Sequence, residues 1–526
     1  MNKIEIVDDI ALKFNVPDKI ANEILNKIPK SRQHPDGDIM VYWGYEECLW
    51  INYYLDQNGP APNLPTTVPS PILRDYKWPG MMTPFEHQKA TASFLSTRMR
   101  AFCFNEAGTG KTVSALWAAD YLMGLGLVKR ILIVCPLSII YTAWQSDVVK
   151  TIMHRSCGVA YGDRDKRVSV VSGPYEIVVI NYDGIGVVYD VIKEAGFDLV
   201  IIDEANAYKN TSTKRWKTLA KLINPSTRIW AMTGTPASQS PVDAFGLAKL
   251  VSPYRVPKFV TAWKDQVLYQ ISRFKYLPKA DSVDKVYKAL QPAIRFKKSE
   301  CLDLPDLVYE VRDIPLTPQV TTYYNRLKKQ MLIEAAGEEI SAVNAAASLS
   351  KLLQISGGAV YSDNKNIVEF DVSPRLNVLQ EVLDEASNKV VIFVPFLHTI
   401  QVITDFLTKH GHSNSVIKGD VSARERANII GNFQQHPDPK ILVIQPQAAS
   451  HGITLTRADT IVFWSPVLSV ETFIQCVGRI DRVGQVHKML VVMLQGSDAE
   501  RRVYDMLQGK IKSHGQLTEL YKQVIE

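Results

Sequence analysis

Short apolar runs alternate with helix-type patterns in two separate parts of the chain. In residues 84–251 the runs are ILIVCP, IVVIN, DLVIIDE and RIWAMTGTP. In residues 373–495 they are KVVIFVP, NSVIKG, KILVIQP, DTIVFWS and KMLVVML. Apolar strands that alternate with helices are typical of parallel sheets covered by helices. The pattern therefore predicts an α/β protein with two tandem parallel-sheet lobes.

The segments outside the two strand-rich parts differ in composition. Residues 1–55 are a mixed polar and aromatic unit, predicted to form a small N-terminal accessory domain, and residues 56–83 are proline-rich and predicted to form a linker. Residues 252–372 are predicted to form a helical, basic insertion between a first lobe at 84–251 and a second lobe at 373–526 that ends in helices. No repeat with a period of roughly 20–50 residues recurs, which argues against a solenoid.

The composition is that of an ordinary globular protein. Of 526 residues, 46% are hydrophobic and 22% are charged. No apolar run approaches the ~20 residues of a membrane-spanning helix, and the N-terminal stretch MNKIEIVDDIALKF lacks the apolar core of a signal peptide. The six cysteines include no CxxC pair. The sequence therefore predicts no membrane association, argues against metal or disulfide roles for the cysteines, and favours a reducing compartment.

The stretch CFNEAGTGKTVSAL has the pattern of a phosphate-binding loop between a strand and a helix. Gly108 and Gly110 can adopt backbone angles that bring N–H groups onto a phosphate at the helix N-terminus. Lys111 would reach the β- and γ-phosphates, and the Thr112 hydroxyl would ligate magnesium. Glu106 stands where the strict motif has glycine. By itself, the stretch is therefore also compatible with a glycine-rich turn that binds no ligand.

A second element, LVIIDEAN, ends an apolar strand with two carboxylates. Asp203 would bind magnesium, and Glu204 would orient or deprotonate a water molecule, as phosphoryl transfer requires. Alone, the pair could simply cap the next helix. Together with a phosphate-binding loop in the same lobe, it predicts hydrolysis of a nucleotide, with Lys111 and Glu204 as catalytic residues.

The stretch ETFIQCVGRIDRVGQ of the second lobe carries Gln475, Arg479 and Arg482 at helical spacing. An arginine delivered to a transferring phosphoryl group contributes ~10³–10⁵ in rate. We therefore predict that the three residues lie on neighbouring turns of one helix, with both arginines catalytic and Gln475 binding ATP. The ATP site would then be divided between the lobes, and hydrolysis would be linked to their movement. The alternative is that the arginines form ordinary surface ion pairs.

Positive charge is concentrated between the two lobes. Residues 255–298 contain eleven Lys or Arg against three Asp or Glu, with seven aromatic residues among them, whereas the whole chain carries a net charge of only +6. Such a stretch suits a polyanion, because each neutralised phosphate releases condensed counterions. It indicates a nucleic-acid contact. The alternative is a solvated helical face whose aromatic residues lie in the core.

These motifs, in this order, resemble those of the Swi/Snf-type DNA translocases of helicase superfamily two, over about residues 84–508. FEHQ looks like the adenine-reading element, with Gln88 as the reader. NEAGTGKT resembles the family's form of the phosphate-binding loop, which accounts for Glu106 and adds Thr109 to the residues expected to bind ATP. RFKKSECLDLPDLVYEVRDIPLTPQVTTYYNRL looks like the segment between the lobes, and QCVGRIDRVGQ is the most family-specific stretch. The resemblance implies that both lobes are RecA-like and that the chain is of the compact bacterial or viral type.

The resemblance also implies contacts with DNA. IVCPLSIIYTAW and VVINYDGI are similar to strand-end motifs that touch a DNA backbone, and MTGTP matches the element that links the ATP site to DNA. IKGDVSARERANIIGNFQ and QPQAASHGITLTRADTIVFWSP resemble motifs of the second lobe. The DNA-contact candidates are Ser138, Thr233, Arg295, Lys297, Lys298 and Lys418.

Two positions depart from the family pattern. DEAN places Asn206 where DEAH or DESH has a histidine thought to relay between ATP and the TGTP element. An amide donates a hydrogen bond but cannot become charged, so hydrolysis is expected to survive with looser coupling to DNA. The second lobe has AASHGITL, including Ala449, in place of a Gly-Gly-x-Gly run, which leaves less room for the backbone to approach DNA or nucleotide.

The resemblance implies a monomeric motor that tracks along duplex or branched DNA, using ATP and Mg²⁺. It would be tolerant of sequence, because phosphate contacts carry no sequence information. Expected work is the remodelling of forks, branched junctions or protein–DNA complexes, with any protein partner reached through the N-terminal domain. The expected location is the cytoplasm of a bacterial or virus-infected cell, or the nucleus of a eukaryotic one. The alternatives are a strand-unwinding DNA or RNA helicase and, from a different class, an ATP-gated nucleic-acid clamp with negligible turnover.

Overall fold

The computed structural model of the chain describes residues 4–58, 67–234, 236–237, 240–271, 276–335, 342–361, 367–449 and 453–509. The chain divides into two compact units. The first comprises Met1–Tyr269 and Pro278–Cys301, and the second comprises Gln270–Leu277 and Leu302–Glu526. Each unit is built on a parallel sheet.

The first unit begins with a small antiparallel sheet. Its strands, in the spatial order β1-β2-β4-β3, are β1 (Glu5–Val7), β2 (Ala11–Phe14), β3 (Ser31–Gln33) and β4 (Ile39–Tyr42). Two helices accompany them, α1 (Asp18–Lys27) and α2 (Tyr45–Asn58). Alternate side chains of β2 and β4 are buried, as the period of two in a half-buried strand requires: Leu12, Phe14, Ile39 and Val41.

Helix α2 attaches this small sheet to the rest of the first unit. The amide of Asn52 is buried and donates to the Val68 carbonyl and to Thr97 Oγ1, both at 3.0 Å. Asp56 and Arg98 form an ion pair at 3.0 Å, with the guanidinium almost completely buried. Removing one partner of a buried pair leaves an uncompensated charge and costs ~3–5 kcal/mol. The N-terminal unit is therefore packed onto the first lobe, and α2 runs past position 55, where the sequence prediction ended the accessory domain.

Seven strands form the large sheet of the first unit, in the order β13-β5-β10-β9-β6-β8-β7. All of its recorded pairings are parallel. Residues 100–294 contain the seven strands of this sheet and, outside it, β11 and β12. The strands are β5 (Arg100–Cys103), β6 (Ile131–Cys135), β7 (Cys157–Ala160), β8 (Ile177–Asn181), β9 (Leu199–Ile202), β10 (Arg228–Met232), β11 (Leu268–Gln270), β12 (Tyr276–Pro278) and β13 (Ala293–Ile294).

Helices cover the large sheet and create a hydrophobic core on each of its faces. Strands such as β9 and β10 are buried at every position, which explains their continuous apolar runs. The helices are α3 (Ile72–Asp75), α4 (Glu86–Ser96), α5 (Lys111–Gly124), α6 (Ser146–Thr151), α7 (Arg164–Ser172), α8 (Gly184–Val187), α9 (Tyr189–Ala195), α10 (Lys214–Leu222), α11 (Ala244–Val251), α12 (Val260–Val267), α13 (Ser282–Ala289) and α14 (Lys298–Cys301).

The second unit contains a six-stranded sheet in the order β14-β21-β20-β17-β19-β18, again with parallel pairings. The strands of this unit are β14 (Leu307–Asp313), β15 (Ala359–Tyr361), β16 (Ile367–Glu369), β17 (Lys389–Phe393), β18 (Asn414–Ile417), β19 (Ile441–Ile444), β20 (Ala458–Phe463) and β21 (Met489–Gln495). Its helices are α15 (Pro318–Ala335), α16 (Ala342–Gly357), α17 (Ser373–Glu385), α18 (Leu397–Lys409), α19 (Ala423–Gln435), α20 (Pro446–Ala449), α21 (Val470–Val477) and α22 (Asp498–Leu507).

A buried ion pair fixes α17 to the start of α22. One nitrogen of Arg375 lies 2.8 and 2.9 Å from the two carboxylate oxygens of Glu500, and both side chains are almost completely buried. The same carboxylate accepts from the backbone N–H groups of Gly496 (2.8 Å) and Ser497 (3.0 Å). The two buried charges thus neutralise each other, and the carboxylate accepts further hydrogen bonds, which is the condition for tolerating ions in a core.

The structure confirms the predicted fold class, an α/β chain with two tandem RecA-like lobes. All nine apolar runs quoted above contain a strand of one of the two parallel sheets. Residues 252–372 do not form one separate layer, because β13 pairs with β5 in the first sheet and β14 pairs with β21 in the second. The remaining domain boundaries stay predictions, and residues 59–66 of the predicted linker lie outside the described part. No helix among the described residues has the length and apolar composition needed to cross a membrane.

Candidate ATP-hydrolysis site

The predicted phosphate-binding loop joins β5 to α5. Gly108 (φ 87°) and Gly110 (φ 83°) both have left-handed backbone angles, which residues with a Cβ rarely adopt. A Cβ on Gly110 would also lie 2.2 Å from Nε2 of Gln88. The helix begins directly after this glycine, at Lys111. The loop and the helix N-terminus therefore adopt the backbone arrangement that receives a phosphate.

Lys111 lies against the carbonyl groups of the loop. Its Nζ donates to the carbonyl oxygens of Asn105 (2.9 Å) and Glu106 (3.2 Å). The hydroxyl of Thr109 donates to the same Glu106 oxygen at 2.8 Å. These bonds hold an ammonium group at the loop, where the phosphates of a nucleotide could replace the carbonyls as acceptors.

Gln88, the predicted adenine reader, is buried between α4 and the loop. Its Nε2 donates to the Thr109 carbonyl (3.2 Å), and its Oε1 accepts from the Phe85 N–H (3.1 Å). The ring nitrogen Nε2 of His87 lies 2.8 Å from the same Thr109 oxygen. Gln88 therefore supports the loop from α4, while its recognition of adenine stays a prediction.

Asp203 and Glu204 follow β9, which is separated from β5 by only one strand, β10. Asp203 is buried, and burial together with the negative charge of Glu204 raises its pKa to about 6, while the Lys111 ammonium acts in the opposite direction. The parallel sheet thus brings the loop and both carboxylates to one edge, as expected from the carboxyl ends of its strands.

The residues predicted to hold magnesium are Thr112, in the first turn of α5, and Asp203. The Asp203 carboxylate accepts from Nε1 of Trp144 and from the N–H of Glu204, both at 2.9 Å. A hydroxyl and a carboxylate are hard oxygen donors, and Mg²⁺ at phosphate sites is held by one or two such ligands together with phosphates and water. The donor chemistry therefore fits magnesium.

Two side chains at this site were not identified from the sequence. Trp144 donates to the Asp203 carboxylate, and the hydroxyl of Tyr182 donates to the carbonyl oxygens of Asp203 (2.7 Å) and Glu204 (3.2 Å). Both residues lie in stretches that the sequence did single out, IVCPLSIIYTAW and VVINYDGI. The available signal was an aromatic residue with a polar atom shortly after a buried strand, which does not reveal its partner.

Glu106, the departure from the strict loop motif, connects the loop to the basic segment. Its carboxylate accepts from the backbone N–H of Lys298 at 3.0 Å. The side-chain oxygen of Asn105 accepts from the N–H of Phe296, also at 3.0 Å. The residues that follow β13 are therefore fixed beside the phosphate-binding loop, although they lie far from it in sequence.

The prediction of one helix carrying Gln475, Arg479 and Arg482 is wrong beyond Val477. Helix α21 ends there, and the N–H of Gly478 closes the last turn onto Ile474. The physical reason is that the chain forms a series of turns from Gly478 onward. These turns place both arginines beside the loop that precedes β20, instead of continuing the helix.

Those turns bring the two arginines to a common backbone carbonyl. Arg479 is 4% exposed, and its guanidinium donates to the carbonyls of Gln475 (2.7 Å) and Ile453 (3.3 Å). Arg482 is half-buried and donates to Ile453 (2.9 Å) and to Thr454 Oγ1 (2.9 Å). Gln475 is also buried. Their catalytic and ATP-binding roles stay predictions.

The DNA-contact candidates differ in exposure. Arg295 and Lys297 are exposed, and Ser138, Lys298 and Lys418 are half-buried. Lys297 and Lys418 form ion pairs with Glu300 (3.2 Å) and Asp420 (3.3 Å). Thr233 is fully buried, with its N–H donating to the Cys103 carbonyl at 3.0 Å. In this conformation, Thr233 presents no surface to a ligand.

The aromatic residues of the basic segment also differ in exposure. Trp263 is buried in a core of the first lobe, as the alternative interpretation of this segment required. Phe259, Tyr269 and Tyr287 are exposed. Residues 272–275, with two of the segment's basic side chains, lie outside the described residues. The exposed group remains available for the proposed contact with nucleic acid.

Both departures from the family pattern can be located. Asn206 lies in a single 3₁₀ turn, Ala205–Tyr208, directly after Glu204. Its backbone carbonyl accepts from the N–H of Lys209 at 3.2 Å. Of the AASHGITL stretch, residues 450–452 lie outside the described part of the chain.

Comparison with known proteins agrees with this arrangement. The family model for the SNF2-related domain matches residues 87–358, and the model for the helicase conserved C-terminal domain matches residues 374–484. The first match spans more than half of the chain and contains the phosphate-binding loop and both carboxylates. The second contains Gln475, Arg479 and Arg482.

Three curated relatives show the range of similar proteins. The mouse chromodomain-helicase-DNA-binding protein 1-like is 23% identical over 79% of this chain and 47% of its own length. Putative protein p41 of Acyrthosiphon pisum secondary endosymbiont phage 1 is 24% identical over 81% of this chain and 98% of its own. The human DNA annealing helicase and endonuclease ZRANB3 is 23% identical over 82% of this chain and 40% of its own. The chain thus spans less than half of the two animal relatives and nearly all of the phage protein. From its motifs, its two parallel-sheet lobes and these matches, the chain belongs to the SNF2-related family of helicase-like ATP hydrolases.

Proposed function

We propose that this protein is an ATP-dependent translocase that tracks along double-stranded DNA and remodels forks, branched junctions or protein–DNA complexes. The observation that carries the proposal is the assembly of Lys111, Asp203 and Glu204 at one edge of the first sheet, in a chain that also has the family's second lobe. Such a site would couple nucleotide hydrolysis to a local structural change at this edge of the sheet, and a motor requires a coupling of this kind.

Each residue would have a separate task in hydrolysis. Lys111 would exchange its loop carbonyls for the β- and γ-phosphates of ATP and neutralise their charge. Glu204 would orient the attacking water and accept its proton. Thr112 and Asp203 would hold magnesium, which when bound supplies positive charge to the phosphate oxygens. We assign Arg479 and Arg482 to the stabilisation of charge on the transferring group, with Gln475 and Gln88 in nucleotide binding.

The contact with DNA would be made to the phosphate backbone and would tolerate any sequence. Arg295 and Lys297 are exposed basic side chains on a segment whose backbone is bonded to the phosphate-binding loop. Phosphate contacts fix position and orientation without reading bases. The similarity to an annealing helicase supports a motor that does not separate strands as its main task.

The N-terminal accessory domain would target the motor by binding a protein partner. A cavity of about 480 Å³ lies between α2 and the first lobe, and its lining includes Trp50, Tyr53 and Tyr254. Tyr53 and Tyr254 are 63% and 61% exposed. Aromatic side chains of this kind are enriched at protein interfaces, which supports this location for a partner.

The function is tested by measuring phosphate release against single-stranded, duplex, forked and four-way DNA. A duplex translocase is expected to be stimulated more by duplex or branched DNA than by single strands, and Asn206 is expected to leave appreciable turnover without DNA. Strongest stimulation by single strands would favour an unwinding helicase. Negligible turnover on all four substrates would favour an ATP-gated clamp.

Neutralising the basic segment is expected to weaken DNA binding equally for all sequences. In a variant with Arg295, Lys297 and Lys298 changed to glutamine, the slope of log affinity against log salt should fall by up to about three, because each lost phosphate contact removes about 0.9. ATP hydrolysis without DNA should not change. The measurement is DNA binding by fluorescence anisotropy at several salt concentrations.

The matched control neutralises three lysines at exposed positions elsewhere in the first unit, Lys19, Lys27 and Lys129. It has the same change in net charge and should retain the wild-type salt slope. Equal slopes for the test variant and the wild type would mean that the basic segment is only a solvated surface.

A further inference from the structure

The turn that carries Asp203 and Glu204 is held by two aromatic side chains from outside β9. Trp144 is fully buried, and its Nε1 donates to Asp203 Oδ2 at 2.9 Å. The hydroxyl of Tyr182 donates to the carbonyl oxygens of Asp203 (2.7 Å) and Glu204 (3.2 Å). Trp144 is thus hydrogen-bonded to a carboxylate, and Tyr182 is hydrogen-bonded to the backbone of the same turn.

These bonds determine the direction of both carboxylates. The second oxygen of Asp203, Oδ1, accepts from the Glu204 N–H at 2.9 Å, so the group is fixed through both of its oxygens. Glu204 has φ 45° and ψ 54°, a left-handed conformation that is strained in a residue with a side chain. The Tyr182 hydroxyl, shared by the two carbonyls, stabilises that conformation and with it the position of the Glu204 side chain.

Each of the two aromatic residues has an exposed residue near it in the sequence. Trp144 belongs to a single π-helical turn, Ile140–Gln145, that follows β6, and Leu137 just before this turn is 39% exposed. π-Helical turns are rare in proteins, and those that do occur often lie at functional sites. Tyr182 follows β8, and the side chain of the next residue, Asp183, is 74% exposed. Because β9, β6 and β8 are neighbours in the sheet, a ligand at this edge could contact both stretches.

We propose that Trp144 and Tyr182 are positioning residues through which DNA bound at these two stretches sets the geometry of the Asp203–Glu204 turn, and thereby the rate of ATP hydrolysis. The inference rests on the proposed function as a DNA translocase. It provides a route from DNA to the ATP site that does not pass through residue 206, where asparagine replaces the family histidine. Small displacements of either stretch reach the turn directly, because each is joined to it by a hydrogen bond.

The test removes one hydrogen-bond donor at a time. Trp144→Phe and Tyr182→Phe each retain an aromatic ring. Tyr182→Phe deletes only the O–H that holds the turn, whereas Trp144→Phe deletes the N–H together with part of the buried indole, a loss of volume that the Trp117→Phe control below reproduces. Each is expected to lower DNA-stimulated turnover by ~10–100-fold, the range found for groups that orient metal ligands. The ratio of turnover with duplex DNA to turnover without it should fall towards one.

Magnesium dependence gives a readout that does not require turnover. Binding of a fluorescent ATP analogue is titrated with Mg²⁺ for the wild type and both variants. Trp144→Phe is expected to raise the magnesium concentration for half-maximal binding by about tenfold or more, because Asp203 is no longer oriented. Tyr182→Phe, which leaves the Asp203 carboxylate bonded to Trp144, should shift it less.

Two matched controls remove equivalent donors away from the turn. Trp117→Phe deletes an Nε1 donor to the Pro79 carbonyl (3.0 Å) in the same hydrophobic core as Trp144. Tyr45→Phe deletes a hydroxyl donor to the Ser96 carbonyl (3.0 Å). Both controls should keep the wild-type stimulation ratio and magnesium dependence. Thermal unfolding establishes that all four variants are folded.

The proposal is overturned if folded Trp144→Phe and Tyr182→Phe proteins keep the wild-type ratio and magnesium dependence, or if the controls lose them equally. A wild type that no DNA stimulates would contradict the proposed function and the DNA step of this inference together. In that case, an unshifted magnesium titration would also overturn the positioning of Asp203 by Trp144, and a shifted one would support it.

Discussion

Replacing Glu204 with glutamine is expected to stop ATP turnover while leaving ATP bound. Glutamine has the same shape and can occupy the left-handed turn after β9, but it cannot accept a proton from the attacking water. The rate should fall by ~10²–10⁴-fold, the contribution of a general base. The measurements are steady-state phosphate release and equilibrium binding of a fluorescent ATP analogue.

Lys111→Ala provides the contrasting result. Removing this ammonium takes positive charge away from the β- and γ-phosphates, so that nucleotide binding and turnover should both be lost. Glu194→Gln is the matched control for Glu204, since Glu194 is an exposed glutamate of the same unit. A Glu204→Gln protein that hydrolyses ATP at the rate of this control would exclude Glu204 as the base.

Arg482→Ala is expected to lower the maximal rate of hydrolysis far more than the affinity for ATP. An arginine that stabilises charge on the transferring phosphoryl group acts mainly in the transition state, and its loss costs ~10³–10⁵ in rate. Arg479 should be nearly as sensitive in rate. Because Arg479 is 4% exposed and donates to two backbone carbonyls, its loss should also lower the thermal stability.

The control for Arg482 is Arg457→Ala. Arg457 lies in the same unit and likewise donates to a backbone carbonyl, that of Gln434 at 3.2 Å. A role limited to such contacts would cost about 1–3 kcal/mol of stability, as for hydrogen bonds to a charged group, and leave turnover unchanged. If Arg482→Ala resembles the control, the catalytic assignment of Arg482 from the sequence is wrong.

The sequence was sufficient for the parts of the fold that depend on local patterns. Runs such as LVIIDE are apolar at every position because β9 is buried on both faces, and this signal led directly to the parallel sheets. The phosphate-binding loop could also be identified from the sequence, because Gly108 and Gly110 are needed at left-handed positions. The edge strands β13 and β14 were missed, because β13 has only two residues and β14 lacks a continuous buried run.

The contacts between distant stretches could not be predicted. The bond of Trp144 to Asp203, and that of the Lys298 backbone to Glu106, join residues far apart in sequence and depend on which strands become neighbours in the sheet. The helix expected to reach Arg482 failed for a different reason. Helical spacing allowed it, but the chain turns at Gly478, and the arginines bond to the loop at Ile453 instead.

Displacement of a third strand from a DNA triplex is the most direct test of a duplex translocase. A motor that tracks along a duplex removes the third strand while the two strands behind it pair again, which restores the stacking of ~1.4 kcal/mol per step that opening would cost. We predict ATP-dependent triplex displacement by the wild type, none by Lys111→Ala, and no separation of a plain duplex with a single-stranded tail. Efficient unwinding of the tailed duplex without triplex displacement would contradict the account.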